Sequence, residues 1–211
     1  MLRLYKTPSL LRKLMPGYTW SKEVQGKKLY LTFDDGPIPE VTPWVLEQLA
    51  RYGAKATFFA VGDNLVKHRD VAEQVLEQGH RLANHTHNHL KGWETPLVSY
   101  LHNVAQCRQE LERLQTLPQK KLLFRPPYGR ITGRQAAALR QDYELIMWDV
   151  LTNDYDNSLA PEKCLRQSIK HTQSGSIIVF HDSLKAKRNM QYALPRYLDH
   201  FIAQGYTFES L

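Results

Sequence analysis

Cysteine is scarce, with two residues in a chain of 211. Cys107 and Cys164 lie far apart, each inside a segment of helical pattern. They form neither a disulfide framework nor a metal-ligand spacing, and both read as small packing residues. Long apolar runs are missing too. No stretch reaches the roughly 18 apolar residues that a membrane-spanning helix requires. The N-terminus, MLRLYKTPSLLRKLMPGYTW, lacks the uninterrupted apolar core of a signal peptide, because Lys6, Arg12 and Lys13 break it. It reads as a short amphipathic helix that packs on the domain or lies on a membrane surface. No motif interleaves basic and aromatic residues as a nucleic-acid binder would. Low-complexity stretches and linkers are absent as well.

What is present fits one domain. Hydrophobic residues make up 42% and charged residues 23% of the chain, as in an ordinary globular protein. A chain of this size buries roughly 70% of its unfolded surface, so it needs no staple to fold. The formal charge is +7. Part of it sits in a basic N-terminal extension over residues 1–27, with Arg3, Lys6, Arg12, Lys13, Lys22 and Lys27, followed by Lys28. Lys185, Lys187 and Arg188 add to it later. Such a surface suits an anionic cell-wall polymer or membrane headgroups, or is simply a solvated basic face.

Short apolar runs alternate with helical patterns. Lys28–Phe33, Ala56–Val61, Arg81–Asn84, Leu122–Arg125, Leu145–Trp148, Ser176–Phe180 and Tyr206–Phe208 read as strands. Between them Val41–Tyr52, Asp70–Gln78, Val98–Leu117, Thr132–Gln141, Pro161–His171 and Tyr192–Gln204 read as helices, with Gly53 and Gly79 as stops. This alternation predicts parallel strands with helices outside them. Runs such as SIIVF and ELIMW look buried on both faces. Periodicity leaves a closed barrel and an open doubly wound sheet equally available.

Polar groups follow nearly every strand. Asp34 and Asp35 follow the first, and His85 to His89 the third. Arg125 ends the fourth, ahead of Pro126, Pro127, Tyr128 and Gly129. Asp149 and Asp154 follow the fifth, His181 and Asp182 the sixth. In parallel α/β folds these strand ends form one rim, where active sites sit. Adjacent carboxylates at Asp34 and Asp35 repel unless a cation or a proton lies between them. They also make an ordinary Asp-Gly-Pro turn. His85 and His89, four apart, share a face on a helical turn and reach one ion, with His87 pointing away. Two imidazoles and one carboxylate would leave positions open for water and substrate, the pattern of a catalytic metal site. Arg125 beside Asp34 would orient it, and His181 suits a general acid. Taken singly, each of these is equally a surface or core residue.

Together the residues are more specific. Five ordered motifs carry a resemblance: Thr32-Phe33-Asp34-Asp35-Gly36-Pro37, His85-Thr86-His87-Asn88-His89, Arg125-Pro126-Pro127-Tyr128-Gly129, the run from Trp148 to Tyr155, and Val179-Phe180-His181-Asp182. Over residues 28–208 the chain resembles the polysaccharide deacetylase family (NodB-homology domain, carbohydrate esterase family 4). The resemblance implies a single domain at residues 28–211, a distorted (β/α)7-type barrel of parallel strands with outer helices. It also implies one divalent ion, zinc first, with cobalt or another ion as the alternative. By motif, Asp35, His85 and His89 correspond to the metal ligands, Asp34 to the general base and His181 to the general acid. Arg125 corresponds to the partner of Asp34, Asp154 to an acidic support of that network, and the Tyr128 backbone N–H to an oxyanion donor. Pro126, Trp148, Tyr155 and Val179 are the pocket positions. Two of these depart from the family pattern, since Tyr155 stands where Trp is usual and Val179 where Leu is usual.

The implied activity is metal-dependent removal of N-acetyl groups from an N-acetylglucosamine-containing glycan, peptidoglycan- or chitin-like. An O-acetyl esterase of xylan type and a non-catalytic sugar-binding relative are the alternatives. The expected partner is an acetylated glycan rather than nucleic acid, with peripheral membrane or cell-wall contact through the basic N-terminus. A cell-envelope substrate is expected, although no export signal is visible.

Overall fold

In a computed structural model, residues 4–117 and 121–211 are described. Arg3, counted above in the basic extension, lies outside them. A short helix α1 (Ser9–Leu14) precedes β1 (Lys28–Asp34), α2 (Thr42–Arg51), β2 (Ala56–Ala60), α3 (Gly62–Lys67), α4 (Arg69–Glu77) and β3 (Arg81–Asn84). Then come α5 (Leu97–Leu114), β4 (Leu122–Phe124), α6 (Gly133–Leu139), β5 (Tyr143–Leu145), β6 (Val150–Leu151), α7 (Pro161–His171), β7 (Ile177–His181), α8 (Lys187–Ala203) and β8 (Thr207–Phe208).

The strands pair in the order β5-β4-β3-β2-β1-β7-β6, with β8 on β1, and every one of these pairings is parallel. The two ends of that order are joined by residues 146–149 alone, so one bent extended segment curls the sheet round on itself. The result is the expected distorted (β/α)7-type barrel in a single domain. The buried strands explain the curl. All five residues of β2 are buried, as are Ile177–Phe180 of β7, and helices cover the sheet outside. Phe33, Phe58 and Phe180 stack across the β1–β2 and β1–β7 seams at ring distances of 5.0 and 6.0 Å.

Local signals set several ends. Thr132 and Gln135 form a reciprocal capping box on α6. Pro161 opens α7, with Glu162 in its first turn and Lys170 and His171 in its last, complementing the helix dipole. The structure differs from the sequence reading in several places, and the two-residue strand β6 is one that was not foreseen. Helix α3 was not foreseen, because Gly62 opens it and it is only six residues long. Helix α5 stops at Leu114, short of Leu117. Helix α8 starts at Lys187, five residues early, because its first turn is polar. The fifth strand lies at Tyr143–Leu145 rather than Leu145–Trp148, since the chain bends after Ile146 to cross from β4 to β7.

That bend moves Asp149. It was read as a rim residue following a strand, but it precedes β6. Val150 is level with Ile178, and Asp34 with His181. Asp149 therefore sits four residues of register below the rim, roughly 13 Å at strand rise. Residues 5–22 run along this segment. Thr7 N–H donates to the Asp149 carbonyl (2.9 Å), Leu151 N–H to Tyr5 (3.0 Å), and Met147 N–H to Thr19 (2.8 Å). Helix α1 stands outside with no buried residue. Among the described residues no helix is long and apolar enough to cross a membrane.

Candidate active site

The ends of β1, β3, β4 and β7 deliver Asp34–Asp35, His85–His89, Arg125–Gly129 and His181 to one cleft of about 450 Å³. Its lining also takes Trp148 from the bent segment, Leu151 from β6, Tyr155 from the loop after it and Val179 from β7.

Asp35 lies just past β1 in left-handed backbone (φ 84). The turn that holds it is clamped from three elements. Asp182 accepts from Gly36 N–H (3.0 Å) and from the Thr42 hydroxyl (2.7 Å), and the Asn64 amide donates to the Asp35 carbonyl (2.7 Å). Only glycine fits at position 36, because a Cβ there would lie 1.9 Å from the Asp182 carboxylate. Asp182, Thr42 and Asn64 were given no role from sequence. Only the adjacency of Asp182 to His181 hinted at the first.

His85 and His89 do converge on Asp35, but not from a helical turn. They sit in an irregular loop, with Thr86 and His89 at positive φ (64 and 54). Four-residue spacing therefore found the pair for the wrong geometric reason. The Asn103 side chain holds this loop by accepting from the N–H groups of His87 and Asn88 (2.8 and 2.9 Å). His89 Nε2 is 3.1 Å and His85 Nε2 3.9 Å from Asp35 Oδ1. Donor atoms of all three residues lie within 4.8 Å of one another. His85 Nδ1 lies 2.7 Å from the Arg125 carbonyl, which accepts the ring N–H and leaves the Nε2 lone pair, on the side of Asp35, available to a metal ion. Burial, offset in part by Asp34 and Asp35, lowers His85 to about 4, so it is the neutral imidazole that a metal needs. For Asp35, burial acts to raise the carboxyl. The His89 hydrogen bond and the neighbouring imidazoles outweigh it and hold the group well below the carboxylate range. Two imidazoles, that of His85 neutral, and one ionised carboxylate fit a divalent ion. His87 contributes nothing to this triangle.

Asp34, 4% exposed, is gripped at Oδ1 by Arg125 Nη1 (2.7 Å). Arg125 is fully buried. It also donates to Thr32 (2.7 Å) and the Met147 carbonyl (3.0 Å), and lies 4.1 Å over the Phe59 ring. Its position is therefore over-determined, and so is that of Asp34.

His181 sits across the cleft. The buried Asp154 receives both its backbone N–H (2.8 Å) and its Nδ1 (2.7 Å). Burial opposes the charged ring, but the Asp154 carboxylate more than offsets that and raises His181 to about 9. A cation on Asp35 would remove part of the added attraction from that residue, while the larger Asp154 contribution would remain.

Tyr128 turns the chain in left-handed backbone (φ 59) and lays its ring 4.7 Å from that of His89. Trp148, Tyr155 and Val179 line the cleft, and Tyr155 meets the His181 ring edge-on at 5.0 Å. Pro126 does not line it. It is buried, and its extended backbone leads into the Pro127–Gly129 turn. Arg130, Leu151 and Lys185 line the cleft without having been singled out as site residues. The first sits directly after the Arg125–Gly129 motif, which was the available signal.

The family model described as polysaccharide deacetylase matches residues 21–145, more than half of the chain. A peptidoglycan-N-acetylglucosamine deacetylase of Bacillus cereus is 33% identical over 204 residues, covering 94% of each chain. A second B. cereus protein of that name is 30% identical, and the match spans 60% of its length. Among solved structures, the Bc1960 peptidoglycan N-acetylglucosamine deacetylase superposes with a TM-score of 0.87 at 27% identity, over 97% of this chain and 95% of that one.

Proposed function

Because the chain belongs to the polysaccharide deacetylase family, we propose that it is a metal-dependent hydrolase removing N-acetyl groups from N-acetylglucosamine residues of a peptidoglycan- or chitin-like glycan. One observation carries this reading. A carboxylate held by a buried arginine and an imidazole held by a buried carboxylate face one cleft around the Asp35–His85–His89 triangle. That arrangement supplies a base and an acid on either side of one bound group.

A divalent ion held by Asp35, His85 and His89 would supply Lewis acidity toward the acetyl carbonyl and toward a water. Zinc is the first choice, since the donor set with open positions is that of catalytic zinc. Arg125 grips only Oδ1 of Asp34, and the carboxylate takes the proton of the attacking water as its oxygen adds to the carbonyl carbon. The Tyr128 N–H donates to the carbonyl oxygen as it gains charge, where fixed dipoles act without reorganising. His181, charged at neutral pH, then gives its proton to the sugar nitrogen as the C–N bond breaks. An amide requires this step, because an unprotonated amine anion leaves poorly. Asp154 keeps the ring aimed and charged. Trp148, Leu151 and Val179 offer the acetyl methyl an apolar wall.

The test is acetate release from acetylated chito-oligosaccharides and peptidoglycan glycan strands, with and without chelator. Release that stops on chelation and returns with zinc supports the reading. Equal release in the presence of chelator would remove the metal from it. Release from O-acetylated xylan alone would replace it by the esterase alternative.

A further inference from the structure

The neutral and the anionic members of that substrate class differ in a way this cleft registers. In chitin-like polymers every neighbour of the target sugar is uncharged. In an alternating N-acetylglucosamine–N-acetylmuramic acid strand, both neighbours carry a lactyl group that bears a carboxylate, or a peptide ending in carboxylates. We infer that Arg130 and Lys185 recognise carboxylates on the two sugars flanking the target residue, so the cleft selects an anionic glycan. The inference rests on the deacetylase reading above.

The two cations line the same cleft. Arg130 follows β4 and Lys185 follows β7. Strands β3, β2 and β1 lie between β4 and β7 in the sheet order, and β3 and β1 carry the triangle, so the two cations follow the strands that flank it on either side along the sheet. A strand threading past that triangle meets one before the target sugar and the other after it. Both side chains are exposed, and neither has an acidic partner among the described residues, whereas Lys91 nearby pairs with Glu94 at 3.2 Å. The acids that face the cleft are already engaged, Asp34 by Arg125 and Asp35 by the histidines.

Each cation is also positioned. The Arg130 guanidinium lies 5.3 Å over the Trp93 ring, and Lys185 Nζ lies 5.6 Å over that of Tyr155. A ring face fixes a cation while leaving its N–H donors unused. Trp93 is 64% exposed, yet its indole N–H is tied to the Ile131 carbonyl at 3.0 Å. It is a fixed aromatic ledge rather than a loose side chain, and such a ledge offers sugar rings a stacking surface. Fixed donors without partners, laid along the path of a polymer, suit carboxylates on that polymer.

The experiment compares Arg130→Gln, Lys185→Gln and the double variant with the unaltered zinc-loaded protein. Two substrates matched in length are used: peptide-free glycan strands with free lactyl carboxylates, and acetylated chito-oligosaccharides. Each single variant is expected to lose about five- to tenfold in kcat/KM on the anionic strand, mainly through KM. Turnover of the chito-oligomer should change less than twofold. Added salt should erode the anionic preference of the unaltered protein. Methylamidation of the lactyl carboxylates should remove it. Equal losses on both substrates, or an unaltered protein that prefers the neutral oligomer, would overturn the inference. Binding of the same strands is measured in parallel. If the anionic strand binds through these two residues but no acetate appears, the deacetylase reading fails and the inference on the ligand stands.

Discussion

Asp34 and Asp149 make a natural pair. Both are buried aspartates, 4% and 0% exposed, and both are ion-paired to arginine. Hollows of similar size open at the two ends of the sheet, about 450 Å³ beside Asp34 and about 480 Å³ at the other end, among Lys22, Arg81 and Glu144. Neither burial, pairing nor cavity size separates a chemical group from a structural one. What separates them is direction. Arg125 is sealed in the core and grips one oxygen of Asp34, whose carboxylate lines the cleft. Asp149 accepts hydrogen bonds on one oxygen, from Lys6 (3.4 Å) and Ser176 (2.6 Å), and faces the Arg12 guanidinium at 3.1 Å on the other. Its cations come from the N-terminal segment and remain 23% and 29% exposed. One aspartate is presented to a ligand, and the other latches a strap.

The sharpest way to break that contrast is to neutralise each carboxylate in turn. Asp34→Asn should lower acetate release by about 10²–10⁴-fold, the span of a general base, with zinc content and melting temperature unchanged. Retention of most activity would return Asp34 to the structural class. Next in size is Arg125→Met, which leaves the Asp34 charge buried without its partner. Stability should fall by about 3–5 kcal/mol in denaturant titrations, with activity falling as Asp34 loses its aim. Asp149→Asn should cost less, about 1–3 kcal/mol, because the freed cations can turn to water. Its kcat should stay within twofold of the parent below the melting transition. A large kcat loss there would mean that the strap reaches the mouth.

The sequence was most readable where a residue's role follows from its place at a strand end. Asp34, Asp35, Arg125 and His181 terminate buried strands, so counting strands put them on one rim. It was least readable where the chain is irregular. Nothing in the run Tyr143–Leu151 announces that one segment serves two sheet neighbours, and so Asp149 was placed at the wrong end of the barrel. The loop from His85 to His89 looks helical by spacing, yet it is irregular, with positive φ at Thr86 and His89, and is held by Asn103 from α5. Asp182 is the same kind of miss. Its partners Gly36 and Thr42 lie about 140 residues away. Long-range polar contacts leave no local period to detect. Family motifs name residues without needing the geometry that brings them together.

Two histidines carry the comparison into pH, with the smallest expected effect. His181 at the mouth is opposed by burial but raised to about 9 by Asp154. His80, beside the start of β2, is lowered to about 4 by burial and then by Lys55, and its Nδ1 accepts the Ala56 N–H at 3.2 Å. The signs are therefore opposite. The stability His181 contributes is full below its ordinary value of 6.5 and is lost as pH rises through about 9. The stability His80 contributes is full above 6.5 and is lost as pH falls through about 4, when the ring must take a proton where it now accepts a hydrogen bond. For activity, the alkaline limb should fall as His181 loses its proton near pH 9, and Asp154→Asn should move that limb toward 6.5. For stability, His80→Asn should weaken the protein modestly at neutral pH. It should also flatten the loss between pH 6.5 and 4 in denaturant midpoints taken at each pH. An unchanged acid slope in that variant would show that His80 is not the group that titrates there, and an unmoved alkaline limb in Asp154→Asn would take the proton donor's role away from His181.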